Sequence, residues 1–299
     1  MHFFQLGNYL NPDDLLVINR TRVLPARIFA RKASSGKVEL LILRKVNETT
    51  WETLVGGKGI KKDVLLTITK DLKARVVEVM DHSQRIIQFS KPIEDYLPKI
   101  GQMPLPPYIH VKLNDPERYQ TVYADQSGSA AAPTAGLHFT QEMMRQLKKS
   151  GIKFAEVTLH VGLDTFAPVD EEDPYEHKIH QEWCQITPHT VGMVNSAHAE
   201  GKRMVAVGTT SVRALETAAR LAGIGEIVHA YSGMTDLFIL PGYQFKVVDA
   251  LITNFHLPRS TLLMLVSAFA GWEKVKRWYQ IAMQEGYRFY SFGDAMLIL

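Results

Sequence analysis

The residues best suited to chemistry are histidines that stand next to small or polar side chains. His138 closes a loop of small residues, GSAAAPTAGLHFT (128–140), which also contains Thr134. Small side chains allow a ligand to approach the backbone, and the helix predicted to follow would attract negative charge. Histidine is also the side chain most easily tuned for proton transfer near neutral pH. His138 is therefore a candidate acid or base, and the alternative is a tight structural crossing packed by alanines.

A second candidate, His160, lies in the segment EVTLHVGLDTF (156–166). We predict a strand over 153–161, in which alternate side chains point to opposite faces. The apolar residues then share one face and His160 lies on the other. It would point into a cleft or a barrel lumen, or it would be a hydrogen-bonded core histidine. The sequence does not choose between these two roles.

Asp249 is an acidic residue within a predicted apolar strand over 245–254. Burying a carboxylate without a partner is costly, so such a residue usually contacts backbone amides, a cation or a substrate. Asn254 and His256 follow at the end of this strand, where α/β sheets tend to bind ligands. We therefore predict a site at this position.

The segment RMVAVGTTSVRALETAAR (203–220) is typical of a strand, a turn and a helix beginning at Val212. The turn consists of Gly208, Thr209, Thr210 and Ser211. Its amides and hydroxyls could hold a carboxylate or a phosphate, and capping the helix is the alternative role of the hydroxyls. The turn matches neither the P-loop nor the dinucleotide-binding pattern. Arg213 and Glu216 lie three residues apart and could pair.

Two further clusters carry weaker signals. One contains possible zinc ligands, namely Glu176, His177, His180, Glu182 and Cys184. It lacks the second ligand pair of a closed structural site, so we expect no metal. The other is a short basic run of Lys58, Lys61 and Lys62. It is typical of a solvated turn, and contact with phosphate becomes attractive only if the substrate is RNA.

Two kinds of element must position these residues. Residues 23–90 carry six short β segments separated by turns, which predict a small β-barrel. Pro104, Pro106 and Pro107 then mark a stiff exit from it. The remainder alternates strands and helices, which predicts an α/β domain with a mixed or parallel sheet. We therefore expect a large α/β domain over 1–22 and 104–299, interrupted by a small β-barrel domain over 23–103.

Two helices of the large domain have clear boundaries. The segment TQEMMRQLKKSG (140–151) carries a capping Thr140, basic residues in its last turn and Gly151 as a stop signal. A second helix is predicted over 261–270. Its apolar part is about half of what is needed to cross a bilayer, which indicates a buried helix.

Composition limits the class of protein without identifying it. The chain has 299 residues, and Cys184 is its single cysteine, so an internal disulfide is excluded. No export signal is visible at the N-terminus, and we expect a cytoplasmic protein. The net charge of +3 and sequence pI of 8.8 permit a nucleic-acid partner without requiring one.

Taken together, long and unusual segments resemble one enzyme family in the family's own order. They are NRTRVLPAR, MPLPPYI, AAPTAGLHF, TLHVGLDTF, HKIHQEW, AVGTTSVRALET, LPGYQFKVVDALITNFHLPRSTLLMLVSAFAG and YRFYSFGDAMLIL. The family is that of the S-adenosylmethionine:tRNA ribosyltransferase-isomerases of queuosine biosynthesis. The match runs from Asn11 to Leu299.

The resemblance implies transfer of the ribosyl part of S-adenosylmethionine to 7-aminomethyl-7-deazaguanine at the wobble position of tRNAs with a GUN anticodon. The product would be epoxyqueuosine, with release of adenine and methionine. The resemblance also implies a large α/β domain with a small β-barrel and no requirement for a metal. We expect no membrane association and a monomer.

On this basis we assign expected roles to the candidates. His138, His160, Asp249 and His256 would supply or orient the acid and base. The methionine carboxylate would lie at the turn beginning at Gly208, assisted by Arg213, with Thr134 and Asn254 also at the substrate. The residues expected to contact tRNA are Arg22, Arg27, Lys58, Lys61 and Lys62.

In one respect the sequence departs from the resemblance. Family members ordinarily carry an opening segment with a strand, a helix and basic residues before the part matched here. If that element is missing from the protein, an exposed sheet edge and weaker substrate binding are expected. A shortened, non-catalytic tRNA-binding homologue is thus one alternative. An S-adenosylmethionine-dependent RNA methyltransferase is another, weakened because no glycine-rich first βα turn with a following acidic residue is present.

Overall fold

The computed structural model describes residues 2–106, 108–109, 113–162, 165 and 169–299. The strands are β1 (Leu15–Asn19), β2 (Thr21–Val23), β3 (Arg27–Lys32), β4 (Lys37–Lys45), β5 (Thr50–Gly56), β6 (Leu65–Thr67), β7 (Lys73–Val79), β8 (Gln84–Phe89), β9 (Gln126–Ser129), β10 (Lys153–Leu159), β11 (Glu182–Ile186), β12 (Met204–Val207), β13 (Tyr231–Thr235), β14 (Ala250–Asn254) and β15 (Ala295–Ile298). The α-helices are α1 (Leu97–Ile100), α2 (Gln141–Lys149), α3 (Pro188–Ala199), α4 (Thr209–Ala219), α5 (Thr261–Ala270) and α6 (Trp272–Gln284). Pro107 of the proline-rich exit lies outside the described residues, as do Leu163, Asp164 and Phe166 of a quoted motif.

The chain divides into two compact units. The larger comprises Met1–Arg22, Glu117–Gln126 and Ala132–Leu299, and the smaller comprises Val23–Pro116 and Ser127–Ala131. The predicted fold class, α/β with an inserted β-barrel, is confirmed. The predicted small domain ends at residue 103, whereas the smaller unit continues to Pro116 and takes in a second segment.

The large unit is built on a seven-stranded sheet in the order β13-β11-β10-β1-β12-β14-β15. Strands β10, β1, β12 and β14 are parallel, while β11, β13 and β15 run antiparallel to their neighbours. Every residue of β1, β12 and β14 is buried, as expected for central strands covered on both faces. The carboxyl ends of the four parallel strands therefore meet at one edge of the sheet.

The smaller unit contains a closed barrel in the order β3-β4-β5-β8-β7-β6. All of its strand pairs are antiparallel, and side chains alternate between the interior and the solvent. Ile28, Leu40, Val76 and Ile87 are fully buried in its core. The six predicted β segments correspond to these six strands and are confirmed.

The observed bounds of the helices in the large unit agree with the predicted ones for α2 and α5 and differ for α4. Helix α2 is confirmed, and its cap is the Thr140 Oγ1, which accepts a hydrogen bond from Met143 N at 3.1 Å. Helix α5 has the predicted bounds. Helix α4 begins three residues before the predicted Val212, because Gly208, with φ 86°, ends the preceding strand abruptly. None of the helices among the described residues is long and apolar enough to cross a membrane.

The prediction of a strand over 245–254 is wrong in its first half, since β14 covers only Ala250–Asn254. The amides of Lys246, Val247 and Val248 donate to the buried carboxylate of Glu216, at 3.0–3.3 Å. A buried carboxylate that receives backbone amides is well stabilised. The amides of these three residues therefore donate to a side-chain carboxylate, whereas in a strand they would donate to the carbonyls of a neighbouring strand.

Candidate active site

A pocket lies at the edge of the large unit's sheet where the parallel strands end. It is formed by the loop before α2, the turn between β12 and α4, the residues after β10, and the end of β14 with the residues that follow it. It encloses about 340 Å³, part of it open to solvent. The lining residues are Ala132, Pro133, Thr134, Ala135, Val161, Thr165, Gly208, Thr209, Thr210, Thr253, Asn254, His256 and Leu262. Clefts at this edge of α/β sheets are common ligand sites.

Asn254 connects the pocket's components. Its Oδ1 accepts from Thr134 Oγ1 at 3.1 Å, and its Nδ2 donates to the Tyr290 carbonyl at 3.2 Å. A carbonyl can only accept, so these bonds fix the orientation of the amide. The same Nδ2 lies 3.3 Å from His138 Nε2. This nitrogen must therefore accept, which leaves its lone pair unprotonated.

The surroundings of His138 favour the same neutral state. Burial lowers the pKa of His138; the charge of Asp294 opposes this effect, and that of Arg288 adds to it. The imidazole also packs against the Phe3 ring, with centroids 4.9 Å apart. A neutral imidazole at neutral pH is a base, so the network prepares His138 to accept a proton.

The turn before α4 presents unused hydrogen-bonding groups to the pocket. Gly208 adopts φ 86° and ψ 153°, a conformation essentially restricted to glycine, and no side chain caps the helix. The first amides of a helix have no intrahelical partner. Thr210 is 8% exposed, and no group among the described residues hydrogen bonds to its buried Oγ1. Ser211 differs, because its Oγ donates to the carbonyl of Val207, the last residue of β12, at 2.8 Å.

His256 lines the pocket at the end of β14. Its Nε2 lies 2.7 Å from Thr253 Oγ1, and its backbone amide donates to the Tyr279 hydroxyl at 2.9 Å. Burial lowers the pKa of His256 to about 3. The ring is therefore neutral at physiological pH.

The structure brings together His138, His256, Thr134, Asn254 and the residues 208–210. It does not bring Asp249 to them. Asp249 is exposed and precedes β14, so the prediction that it is buried within the strand is wrong. Its Oδ2 accepts from Met204 N at 2.8 Å, at the opposite edge of the sheet, where β12 begins. Its carboxylate thus satisfies an amide at the start of a strand.

His160 does not line the pocket, although the next residue, Val161, does. Its Nδ1 is 2.8 Å from Thr21 Oγ1, and its ring stacks on Trp183 with centroids 4.9 Å apart. Burial lowers the pKa of His160 to about 4. Of the two roles left open by the sequence, the contacts favour the hydrogen-bonded core histidine.

Arg213 is buried in an ion pair instead of facing the pocket. Its Nη1 contacts Glu182 Oε2, and its Nε donates to the Leu237 carbonyl at 3.0 Å. The suggested pairing of Arg213 with Glu216 is wrong, since Glu216 binds Tyr243 and three backbone amides. Both arrangements depend on residues distant in sequence, which spacing along one helix cannot reveal.

The residues predicted to contact tRNA lie at the surface. Arg22 belongs to the large unit and pairs with Glu117. Arg27 belongs to the smaller unit, where its Nε lies 3.3 Å from Glu39. Lys58, Lys61 and Lys62 are exposed residues of the smaller unit, between β5 and β6.

The cluster of possible zinc ligands is dispersed among other contacts. His177 pairs with Glu171 at 2.8 Å, and Glu182 pairs with Arg213. Cys184 is fully buried, and burial raises the pKa of its thiol to about 12. Within the described ranges, no group of three or more His, Cys, Asp or Glu side chains could hold a metal ion.

Sequence reasoning missed Thr165, Thr253, Leu262 and Tyr290 at the site. Thr253 and Leu262 lie near the site-facing ends of a predicted strand and a predicted helix, and they could have been proposed from that position. Tyr290 acts through its backbone carbonyl, and no residue-type signal could have found it. Thr165 is held by Glu182, whose Oε1 accepts from Thr165 Oγ1 at 2.9 Å.

Comparison with known proteins gives one consistent result. A family model described as "Queuosine biosynthesis protein" matches residues 1–298. A protein of Moorella thermoacetica named S-adenosylmethionine:tRNA ribosyltransferase-isomerase is 54% identical over 304 residues, covering 100% of this chain and 88% of that protein. A protein of the same name from Desulforamulus reducens is 52% identical over 302 residues, covering 99% and 88%. The crystal structure of an S-adenosylmethionine tRNA ribosyltransferase from Thermotoga maritima is similar, with 41% identity, a TM-score of 0.53 and coverage of 99% and 86%.

Proposed function

This chain belongs to the family of queuosine biosynthesis proteins, and we propose that it is an S-adenosylmethionine:tRNA ribosyltransferase-isomerase. It would transfer the ribosyl moiety of S-adenosylmethionine to 7-aminomethyl-7-deazaguanine at the wobble position of tRNAs with a GUN anticodon. Epoxyqueuosine forms, and adenine and methionine are released. The observation that carries the proposal is the pocket itself, which is lined by the uncapped N-terminus of α4 and by Asn254, the hydrogen-bond partner of His138.

The turn at Gly208 is suited to the methionine carboxylate. The N-terminus of α4 carries partial positive charge and free amides, which favour an anion. The Thr210 Oγ1 is a buried donor with no partner among the described residues, so an acceptor from a ligand would satisfy it. Arg213 does not line the pocket, and its Nη1 contacts Glu182. The turn therefore binds the carboxylate without the direct help of Arg213.

The chemistry requires a base near the sulfonium. A sulfonium acidifies the neighbouring C–H bonds, so a positioned base can remove a 5′ proton from the ribosyl unit. In this proposal His138 Nε2 takes that proton once the substrate has displaced the Asn254 amide from it. The bond between the ribose and adenine then breaks, and His138 can give its proton to the departing adenine. The aminomethyl nitrogen of the RNA then bonds to the ribosyl carbon that lost adenine and gives up a proton. Methionine departs as a neutral thioether when a ribosyl oxygen bonds to the carbon that carried the sulfonium, which breaks the C–S bond and closes the epoxide.

The other predicted residues have supporting roles in this scheme. Asn254 orients His138, and His256 remains neutral on the wall of the pocket. We propose that Arg22, Arg27, Lys58, Lys61 and Lys62 contact tRNA phosphates, which predicts binding that weakens as salt increases. We also propose that the reaction uses His138 as its base and no metal. We further propose that the protein acts as a monomer in the cytoplasm.

Mass spectrometry of the reaction products tests the proposal. The protein is incubated with S-adenosylmethionine and an anticodon stem-loop that carries 7-aminomethyl-7-deazaguanine. Epoxyqueuosine, adenine and methionine are expected together. S-adenosylhomocysteine would identify a methyltransferase, and RNA binding without adenine release would identify a non-catalytic homologue. His138→Gln should abolish most turnover, whereas the matched control Asp249→Asn, at the opposite sheet edge, should retain it.

A further inference from the structure

Residues 287–292 (YRFYSF), here called the aromatic loop, lie directly beside the pocket. Tyr290 is the contact, since its carbonyl accepts from Asn254 Nδ2 and its amide donates to the Phe255 carbonyl at 2.9 Å. Two backbone bonds thus attach the loop to the end of β14.

The loop exposes an unusual density of aromatic surface. Tyr287 is 40% exposed, Tyr290 37% and Phe292 39%. Single exposed aromatic residues need no explanation, but three within six residues next to a candidate active site form a patch. Phe289 points inward and packs against Phe255, with ring centroids 5.0 Å apart. The loop therefore has an anchored inner side and an exposed outer side.

The backbone of the loop is held in place before any partner binds. Tyr290 adopts φ 74°, an uncommon conformation for a residue other than glycine, which persists only where surrounding bonds enforce it. The Arg288 amide and guanidinium both bind the Asp294 carboxylate, at 2.7 Å each. At Gly293 a Cβ would lie 2.5 Å or less from the carbonyls of Arg288 and Phe289, so only glycine fits the turn. A fixed loop presents its rings without a further cost of ordering.

We propose that the aromatic loop is a stacking surface for unpaired bases of the RNA substrate that flank the base entering the pocket. This inference rests on the proposed function. Sequence-specific RNA binding commonly stacks splayed bases of single-stranded loops on aromatic side chains. RNA fits better than a second protein because the surface adjoins the site where one RNA base must be held. The exposed Arg288, whose guanidinium is fixed by Asp294, adds a planar cation to the same surface.

Fluorescence anisotropy with a labelled anticodon stem-loop tests the inference. The variants are Tyr290→Leu and Phe292→Leu, which keep apolar bulk but lack an aromatic face, together with Tyr290→Phe, which keeps the ring. Each leucine variant should raise the Kd for RNA at least about fivefold, from stacking that contributes about 1–3 kcal/mol per base. Tyr290→Phe should stay within about twofold of the wild-type Kd, since it retains the stacking face. The matched control is Tyr9→Leu, a tyrosine 44% exposed whose carbonyl binds Arg203 at the opposite edge of the sheet.

The outcomes separate the inference from the proposed function. Unchanged RNA affinity in both leucine variants, with wild-type circular dichroism and Tm, would overturn the stacking role while leaving the function intact. An equal loss in Tyr9→Leu would overturn it as well. If the wild-type protein fails to bind the stem-loop, the proposed function fails and the inference with it. If sedimentation shows that the wild-type protein is a dimer, and that Tyr290→Leu and Phe292→Leu make it monomeric while Tyr9→Leu does not, the patch is a contact between copies of the chain and the stacking role is overturned.

Discussion

The buried pair of Glu182 and Arg213 gives the most demanding prediction. The side chains are only 4% and 8% exposed, so solvent screens their interaction little. Glu182 also accepts from Gly162 N at 2.8 Å and from Thr165 Oγ1 at 2.9 Å. The substitution Glu182→Ala removes the acceptor for all three donors and leaves the Arg213 charge buried.

The expected magnitude follows from that loss. Removing one partner of a buried ion pair costs about 3–5 kcal/mol. At roughly 2–4 °C of Tm for each kcal/mol, the Tm should fall by about 10 °C. Replacing both partners by apolar residues of similar volume is often neutral. The double variant Glu182→Leu with Arg213→Met should therefore be more stable than Glu182→Ala alone.

Urea unfolding followed by far-UV circular dichroism, with calorimetry for the Tm, measures both variants. A functional consequence is also expected, because Glu182 holds Thr165 and Thr165 lines the pocket. The KM for S-adenosylmethionine should rise in Glu182→Ala. A loss of unfolding free energy below about 1 kcal/mol in Glu182→Ala would refute the reasoning, because the pair would then behave as an exposed one. So would a double variant that is no more stable than Glu182→Ala.

Three further predictions concern single side chains. The pKa of His256 is about 3 in the folded protein and about 6.5 in the unfolded chain. The unfolded state therefore binds the proton more readily, and the free energy of unfolding falls as the pH drops below 6.5. Urea unfolding should show a loss of about 2 kcal/mol from this group between pH 7 and pH 5, and His256→Gln should remove it; an unchanged pH dependence would contradict the neutral, buried ring. Gly208→Ala forces a side chain onto φ 86° and should raise the KM for S-adenosylmethionine, whereas Gly201→Ala, with φ 66° and no neighbour within 4 Å, should not; equal kinetics in both would show that the turn is not needed. Cys184 should resist iodoacetamide in the native protein and react after denaturation, since its thiol is buried; rapid native labelling, followed by mass spectrometry, would argue against this packing.

Much of the fold was accessible from the sequence because local signals agreed with the tertiary structure. The six barrel strands alternate apolar and polar residues and are separated by turns. Helix α2 has a cap, a charge gradient and a glycine stop. In such segments the residues that define the element lie within it, so no distant partner is needed. The turn at Gly208 was predictable for the same reason.

The errors share one cause, which is a partner far away along the chain. Residues 246–248 have strand-like composition, yet their amides bind Glu216 on α4. Arg213 pairs with Glu182, 31 residues away. The apolar neighbours of Asp249 suggested that it is buried. It instead lies just before β14, where its carboxylate accepts a hydrogen bond from the backbone amide of Met204. Periodicity and spacing carry no information about such contacts.

The most direct test of the account is a crystal structure of the protein with S-adenosylmethionine bound. We expect the methionine carboxylate to lie within hydrogen-bonding distance of the amides of Thr209 and Thr210, and the ribosyl carbon next to the sulfonium to face His138. The Thr210 hydroxyl should donate a hydrogen bond to an acceptor atom of the ligand. Binding of S-adenosylmethionine outside this pocket, or with its carboxylate turned away from α4, would contradict the central claim.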